Sequence, residues 1–533
     1  MIAPRRTVAC WSLVAVLPFW SVYASHFLQG PLQPTGFLIM DAAYYGANGR
    51  EIFERGNGLA YCNPYDPDPA APVIYCHWLP WILGCGTKIL GIDPGLVWMA
   101  VGAAGGLACA WFTFRLVEAV LPGVRGLPTC FLIAIWGGGL LIVASVITHA
   151  ALGRPPLENL LLYDPFGGHW FLNWGRNLVL PVEAVYHALV AAAWLAVVRE
   201  RPWPAVAAVA ALAATHPFSG IQHILVLGAW FGFRALQGRR IEPAAVCLGL
   251  VTAAFVAYYF AYLPRWPQHR AIHERWSLAW NLGLTTILAA GLPVAALAAV
   301  RCWQDRGRWR PEMTFFLIAA GVSFALAKHE LFLPPRQPLH FTRGYTWLPL
   351  CLLGLPVAQR MLARALALRG GRLLVAAALA LAWLDNATWI AVQWGGSDRQ
   401  GLRLAPALRD AFARLDAADE RGVVVVVAPP GRKWPHANFL AGTYTGLTPL
   451  LGHLHLTPGF DALSQQAGDW LRSGTVFPAL DRVTVAIVAP SFDRSKLPGG
   501  PGDWEQIHAN DEVIVLRRRS PAPRPQAHSG RGS

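Results

Sequence analysis

The residue best suited to chemistry is Asp41, a lone carboxylate in the stretch Asp-Ala-Ala-Tyr-Tyr-Gly-Ala-Asn-Gly-Arg-Glu, just beyond the first long apolar segment. An ionisable group kept against a bilayer surface is costly to desolvate, so Asp41 is read as a proton acceptor rather than as packing. A second polar set runs from Tyr163 to Asn177, where Asp164, His169, Asn173 and Arg176 are interleaved with Phe166, Trp170 and Trp174. Aromatic faces beside amide and carboxylate groups suit a sugar, whose apolar ring faces stack while its hydroxyls take hydrogen bonds. The same aromatic residues suit an interfacial belt equally well.

Glu183 and His187 stand at i and i+4, with Tyr186 between them and His216 and His223 in a neighbouring segment. That spacing puts both side chains on one helix face, where they can form a hydrogen-bonded pair, touch a substrate or ligate a metal. Two such groups do not make a metal site, and Asp66 and Asp68, separated by Pro67, read as a turn. A divalent cation therefore has no ligand motif behind it, and the cofactor requirement stays unknown. A further set, Arg336, His340 and Arg343, lies ahead of a late apolar segment. Arginine is the side chain for bidentate phosphate recognition. Arg265, Arg270 and Arg275 extend this basic surface, and attraction to anionic lipid headgroups is the alternative for all of them.

The elements that must position these groups are membrane helices. Of 533 residues, 55% are hydrophobic and 14% charged, and the mean hydropathy is +0.38, which sets the chain apart from an ordinary soluble domain. Segments long enough to cross about 30 Å of hydrocarbon at about 1.5 Å per residue are predicted at 8–28, 94–121, 128–152, 179–198, 204–217, 220–236, 244–263, 279–300, 312–328, 345–360 and 373–394. The formal charge of +14 does not signal nucleic acid, because the arginines crowd the short loops 5–6, 199–201, 234–240, 301–310 and 360–372. The positive-inside bias puts those loops in the cytoplasm. Residues 29–75, 153–178, the His216 turn, 264–278, 329–344 and everything after 394 are then outside. The expected fold is a mainly α polytopic bundle of about eleven spans plus interfacial helices, with a cytoplasmic N-terminus. Residues 76–92 are expected to lie at the outer interface, since His77, Pro80, Gly84, Gly86 and Lys88 do not suit a full span. Arg5, Arg6, the apolar run and the Val-Tyr-Ala before Ser25 also fit a signal peptide, but the length of the run favours an uncleaved anchor.

No Cys-x-x-Cys occurs, and most of the nine cysteines fall in apolar segments, as small hydrophobes do. Cys62 and Cys76, in or beside the first external loop, could close a disulfide or remain two thiols. After 394 the composition becomes that of a soluble domain. Helices are expected at 404–415 and 460–471, strands at 423–428 and 483–489, and a hairpin at 504–517 that turns at Ala-Asn-Asp. The expected division is thus a transmembrane domain at 1–394, a small extracytoplasmic α/β domain at 395–519 and a disordered Pro/Arg/Ser/Gly-rich tail at 520–533. In the tail domain His453 and His455 stand out as polar loop residues.

A first span, an external loop opening on an acidic residue followed by tyrosine, then an Asn-Pro-Tyr and a Tyr-x-His-Trp stretch, resembles the GT-C class of membrane glycosyltransferases. The resemblance covers residues 1–394. It implies an enzyme of the plasma (inner) membrane that uses a polyprenyl-phosphate-linked sugar, and hence an inverting hexosyl- or pentosyltransferase acting on a glycan, lipid or protein acceptor. It implies that Asp41 acts on the acceptor or on a metal, with Tyr44 and Tyr45 beside it, and that Arg343 binds the donor phosphate, aided by Arg336 and His340. Asp164, His169 and Trp170 would hold the sugar, and Asn173, Arg176, Glu183, His187 and His216 would line the substrate site. The class often carries two adjacent acids, whereas Ala42 follows Asp41 here. A polysaccharide polymerase or ligase relying on Arg343 and His340, and a non-catalytic transport protein, are the competing readings.

Overall fold

The computed structural model describes residues 3–519 except 29, 31, 169, 239, 276–279, 396–401, 429–433 and 435. His169, one of three expected sugar contacts, and the tail 520–533, expected to be disordered, lie outside the described residues. The chain divides into two compact units, residues 1–30 with 76–401 and residues 31–75 with 402–533.

The first unit is helical. Among the described residues, six helices are long and apolar enough to cross a membrane: Arg5–Leu28, Pro94–Val120, Pro181–Val198, Pro243–Arg265, Leu284–Gln304 and Gly371–Gly395. A seventh arises if Leu127–Trp136 and Leu141–Ala151, bent by 52°, count as one span. On this test the expected eleven is too many, for visible reasons. Pro202–Ala213 and Pro311–Ala327 are shorter, while Pro217–Gly238 carries Gln222, His223 and Arg234 and Trp347–Leu366 carries Gln359, Arg360 and Arg364. Proline begins six of these helices, at Pro94, Pro181, Pro202, Pro217, Pro243 and Pro311. At a first helical position its missing N–H is no loss and its fixed φ suits the turn. Residues 76–92 hold only a short helix, Trp78–Gly84, and one π-helical turn, Cys85–Ile89.

The bent pair is held at its break by the last long helix. Asp385 accepts hydrogen bonds from the backbone N–H groups of Leu141 (3.1 Å) and Ile142 (3.0 Å), while Gly138 N donates to Ala382 O at 2.9 Å. A Cβ at Gly138 would come within 2.7 Å of Asp385 Cβ, so only glycine lets the two backbones approach.

The described residues of the second unit form seven strands: β1 (Gln33–Pro34), β2 (Arg403–Leu404), β3 (Gly422–Val427), β4 (Leu447–Pro449), β5 (Val483–Val488), β6 (Trp504–Ala509) and β7 (Ile514–Arg518). The main sheet has the order β4-β3-β5-β7-β6. β3 is parallel to β4 and β5, and β7 is antiparallel to β5 and β6. Five consecutive valines make β3 a buried central strand, as β-branched side chains suit a pleated core. Helix Pro406–Ala417 buries Leu408, Ala411, Phe412 and Leu415, one stripe at helical spacing.

The division at 394 needs one correction, because residues 31–75 belong with the carboxy-terminal unit. β1 pairs with β2, Gln33 opposite Leu404. Helix Met40–Glu54 packs on helix Ala437–Tyr444 through small residues: Thr443 Oγ1 donates to Ala43 O at 2.9 Å, and a Cβ at Gly46 would lie 2.9 Å from Thr443 Cγ2. Arg50 bonds Glu54 and Asp416, each at 2.6 Å. All nine cysteines are free thiols, Cys62 and Cys76 included. The Cys62 thiol, 3.0 Å from Glu51 Oε1, is pushed up by burial and by that carboxylate.

Candidate functional site

Two polar clusters stand out, one in each unit. In the second unit Asp41 is the second residue of helix Met40–Glu54, and its carboxylate sits at the positive end of that helix. Its side chain is 61% exposed and its Oδ1 is 2.8 Å from Nε2 of His453, which is 1% exposed. The His453 ring lies among Tyr44 (6.1 Å between centroids), Tyr65 (6.0 Å) and Phe439 (5.4 Å). Tyr44 stacks on Tyr65 at 6.2 Å and touches Tyr45 edge-on at 5.6 Å. Burial, more than the nearby Asp41 charge, raises the Tyr44 phenol, and a hydrogen bond with Asn48 opposes the shift. Burial raises the Tyr65 phenol as well. Both phenols are thus neutral, a carboxylate faces them, and the aromatic surface around it can stack on a sugar ring.

In the first unit the cluster is built around Arg343. Its backbone is left-handed, at φ +30°, and Gly344 follows at φ +76°. Two groups hold the Arg343 carbonyl: a ring nitrogen of His187 at 2.7 Å and Asn177 Nδ2 at 3.2 Å. The other ring nitrogen of His187 is 2.7 Å from the Glu183 carbonyl. The Arg343 guanidinium pairs with Glu183, donates to His340 Nδ1 at 2.9 Å and lies over the Trp170 ring at 5.5 Å. Because a guanidinium can only donate, Nδ1 of His340 is an acceptor. Phe218 stacks on His340 at 4.2 Å, and Trp170 meets it edge-on at 4.6 Å. The arrangement is a buried cation backed by one carboxylate and bordered by aromatic rings, which is the chemistry of an anion site with an apolar wall.

No protein-family model matches the sequence, and no curated protein matches it. Solved structures do. The chain is similar to ArnT from Cupriavidus metallidurans bound to undecaprenyl phosphate, with a TM-score of 0.49 and 15% identity over 96% of this chain and 98% of that one. It is also similar to the archaeal oligosaccharyltransferase AglB from Archaeoglobus fulgidus in complex with an inhibitory peptide and a dolichol-phosphate, with a TM-score of 0.46 and 14% identity over 90% of this chain and 69% of that one. A third is the Archaeoglobus fulgidus oligosaccharyltransferase tethered to an acceptor peptide, with a TM-score of 0.46 and 12% identity over 91% and 69%.

The residues singled out in the sequence separate into groups. Glu183, His187, His340, Arg343 and Trp170 come together. His216 accepts from Ser219 N at 3.1 Å and stacks on Tyr186 at 4.5 Å, so it caps the helix that begins at Pro217, and it borders the same cluster through Phe218, 6.0 Å from its ring. Arg336 is exposed, and its NH1 is 3.4 Å from His273 Nε2. Asp164, Asn173 and Arg176 belong to a second network. Arg176, fully buried, donates to Asp164 Oδ1 (2.8 Å), Asn386 Oδ1 (2.7 Å) and Asp385 O (2.9 Å), and Asn173 Nδ2 donates to the same Asn386 oxygen at 2.8 Å. This network fastens the 163–179 loop to the last long helix. Asp385 and Asn386 were missed, although an acid inside a predicted span is itself a signal. Phe218 was missed because aromatic residues are common at membrane interfaces. Among the described residues no group of three or more His, Cys, Asp or Glu could hold a metal.

Proposed function

We propose that the chain is a membrane glycosyltransferase of the GT-C class, moving a sugar from a polyprenyl-phosphate donor to an acceptor hydroxyl on the extracytoplasmic face. The observation that supports this best is the backbone of Arg343. A non-glycine residue at φ +30° costs of order 1–3 kcal/mol and persists where its surroundings over-determine it, as at functional sites. Here His187 and Asn177 hold its carbonyl, and the conformation aims the guanidinium toward His340 and the Trp170 face. Arg343, assisted by His340, neutralises the departing lipid phosphate, because a fixed cation stabilises most where negative charge develops. Undecaprenyl phosphate and dolichol-phosphate, the lipids of two structures named above, are donors' carriers of this kind.

Asp41 takes the acceptor's proton. The acceptor O–H bond breaks and its oxygen bonds the anomeric carbon. The bond from that carbon to the phosphate oxygen breaks, and the electron pair leaves on the polyprenyl phosphate. A single displacement inverts the anomeric centre. Tyr44 and Tyr45 hold the acceptor beside Asp41, and Trp170 stacks on the sugar. The arginine-rich loops favour a cytoplasmic N-terminus and an extracytoplasmic carboxy-terminal unit.

The test incubates the purified full chain with the polyprenyl-phosphate-sugar fraction extracted from producing cells and labelled in its sugar. Label should leave the lipid. Asp41→Asn should abolish transfer without loss of membrane insertion, and Arg343→Gln should slow it by about 100-fold or more, the usual cost of one charge-stabilising donor. Full turnover in Asp41→Asn with loss in Arg343→Gln would favour a polymerase or ligase working through Arg343 and His340. Label that crosses the membrane still attached to its lipid would favour transport.

A further inference from the structure

We infer that His453 is a positioning residue for Asp41: a neutral imidazole whose Nε2–H fixes the carboxylate by a hydrogen bond, from a turn some four hundred residues away in sequence. This deepens the reading of Asp41 as the base and rests on it.

The tautomer follows from the neighbours. The backbone N–H of His455 donates to Nδ1 of His453 at 3.1 Å, so Nδ1 is unprotonated. The ring proton is then on Nε2, 2.8 Å from Asp41 Oδ1, where it donates to the carboxylate. With Nδ1 occupied as an acceptor and Nε2 as a donor, His453 takes no proton from the acceptor substrate. It orients one oxygen of Asp41, and the proton moved in the reaction stays on the carboxylate.

The turn that delivers the ring is tightly built. Leu456 N and Thr457 N both donate to His453 O, at 3.1 and 2.9 Å, and Gly452 N donates to Thr457 Oγ1 at 3.2 Å. Asn63 Nδ2, from the first loop, donates to Leu456 O at 2.7 Å. Tyr44, Tyr65 and Phe439 enclose the ring, so its plane is set before any substrate binds. Preorganisation of this kind matters because misplacing a reacting group by about 1 Å costs about 100-fold in rate.

Two measurements test the role on the full chain. The first is the nitrogen NMR spectrum of histidine-labelled protein, with His453 assigned by its loss in His453→Gln. The Nε2-protonated tautomer is expected, with a resonance that shifts in Asp41→Ala. The Nδ1-protonated tautomer would overturn the inference. The second is turnover of the labelled polyprenyl-phosphate-sugar fraction. His453→Ala is expected to lower kcat by about 100-fold with little change in KM, and His453→Gln, which keeps an N–H donor, to recover at least a tenth of wild-type kcat. A glutamine variant no better than alanine, or an undiminished alanine variant beside an inactive Asp41→Asn, overturns the positioning role alone. Undiminished turnover in Asp41→Asn removes the base assignment and this role with it.

Discussion

A side chain at Gly452 has nowhere to go: its Cβ would lie 2.1 Å from Tyr65 Cδ1. Overpacking against a fixed aromatic ring costs about 1–3 kcal/mol, and here it would also push His453 off Asp41. Gly452→Ala should therefore lower the thermal midpoint of the purified protein and depress turnover together. Gly468→Ala is the control, since the nearest atom to its Cβ is Arg472 NH1, the far end of a flexible side chain, at 3.5 Å. There alanine should stabilise the helix by up to about 1 kcal/mol. At this scale Asp41 draws attention in the sequence because a lone acid beside an apolar run has few structural uses. Its partner was not, because His453 is 412 positions away and only the folded chain brings them together. The partners of Arg176 were not legible either: two of its three buried acceptors, Asn386 Oδ1 and Asp385 O, come from a helix whose contacts no local pattern reveals.

The break between helices Leu127–Trp136 and Leu141–Ala151 gives the clearest test at the level of elements. Asp385 satisfies two N–H groups at the start of the second helix, as an N-cap residue would, although it comes from another helix. Asp385→Ala should destabilise the protein by at least about 0.5–2 kcal/mol, the range for loss of a cap. Asp385→Asn, which keeps one acceptor, should lose less, and the order of thermal midpoints checks both. An alanine variant as stable as wild type would mean that the helix start is satisfied some other way. The segment read as one span because Gly137, Gly138 and Gly139 sit in an otherwise apolar run, and composition does not register the bend. Strands β3, β5 and the β6–β7 hairpin were legible because β-branched runs and a polar turn mark them. Helix Ala437–Tyr444 and β4 were not, since eight and three residues are too few to show a period.

Considered as a whole chain, the unit that holds Asp41 is made of two stretches far apart in sequence, 31–75 and 402 onward. Cutting after Gly395 should therefore do more than remove a tail. Arg50, buried and bonded to Asp416 at 2.6 Å in the full chain, should become a site of rapid tryptic cleavage in the shortened protein, together with Arg55. Continued protection of Arg50 would show that the first loop folds without its partner. The discontinuity also sets an order of events during synthesis. At about 5–20 residues per second, the ribosome needs about 20 s to about a minute to add the roughly 330 residues between the loop and its sheet. Throughout that interval the first loop, with the alanine and glycine face of its helix uncovered, must wait as an unfinished half. Any factor that guards nascent chains would meet it there, before Asp41 has His453 beside it.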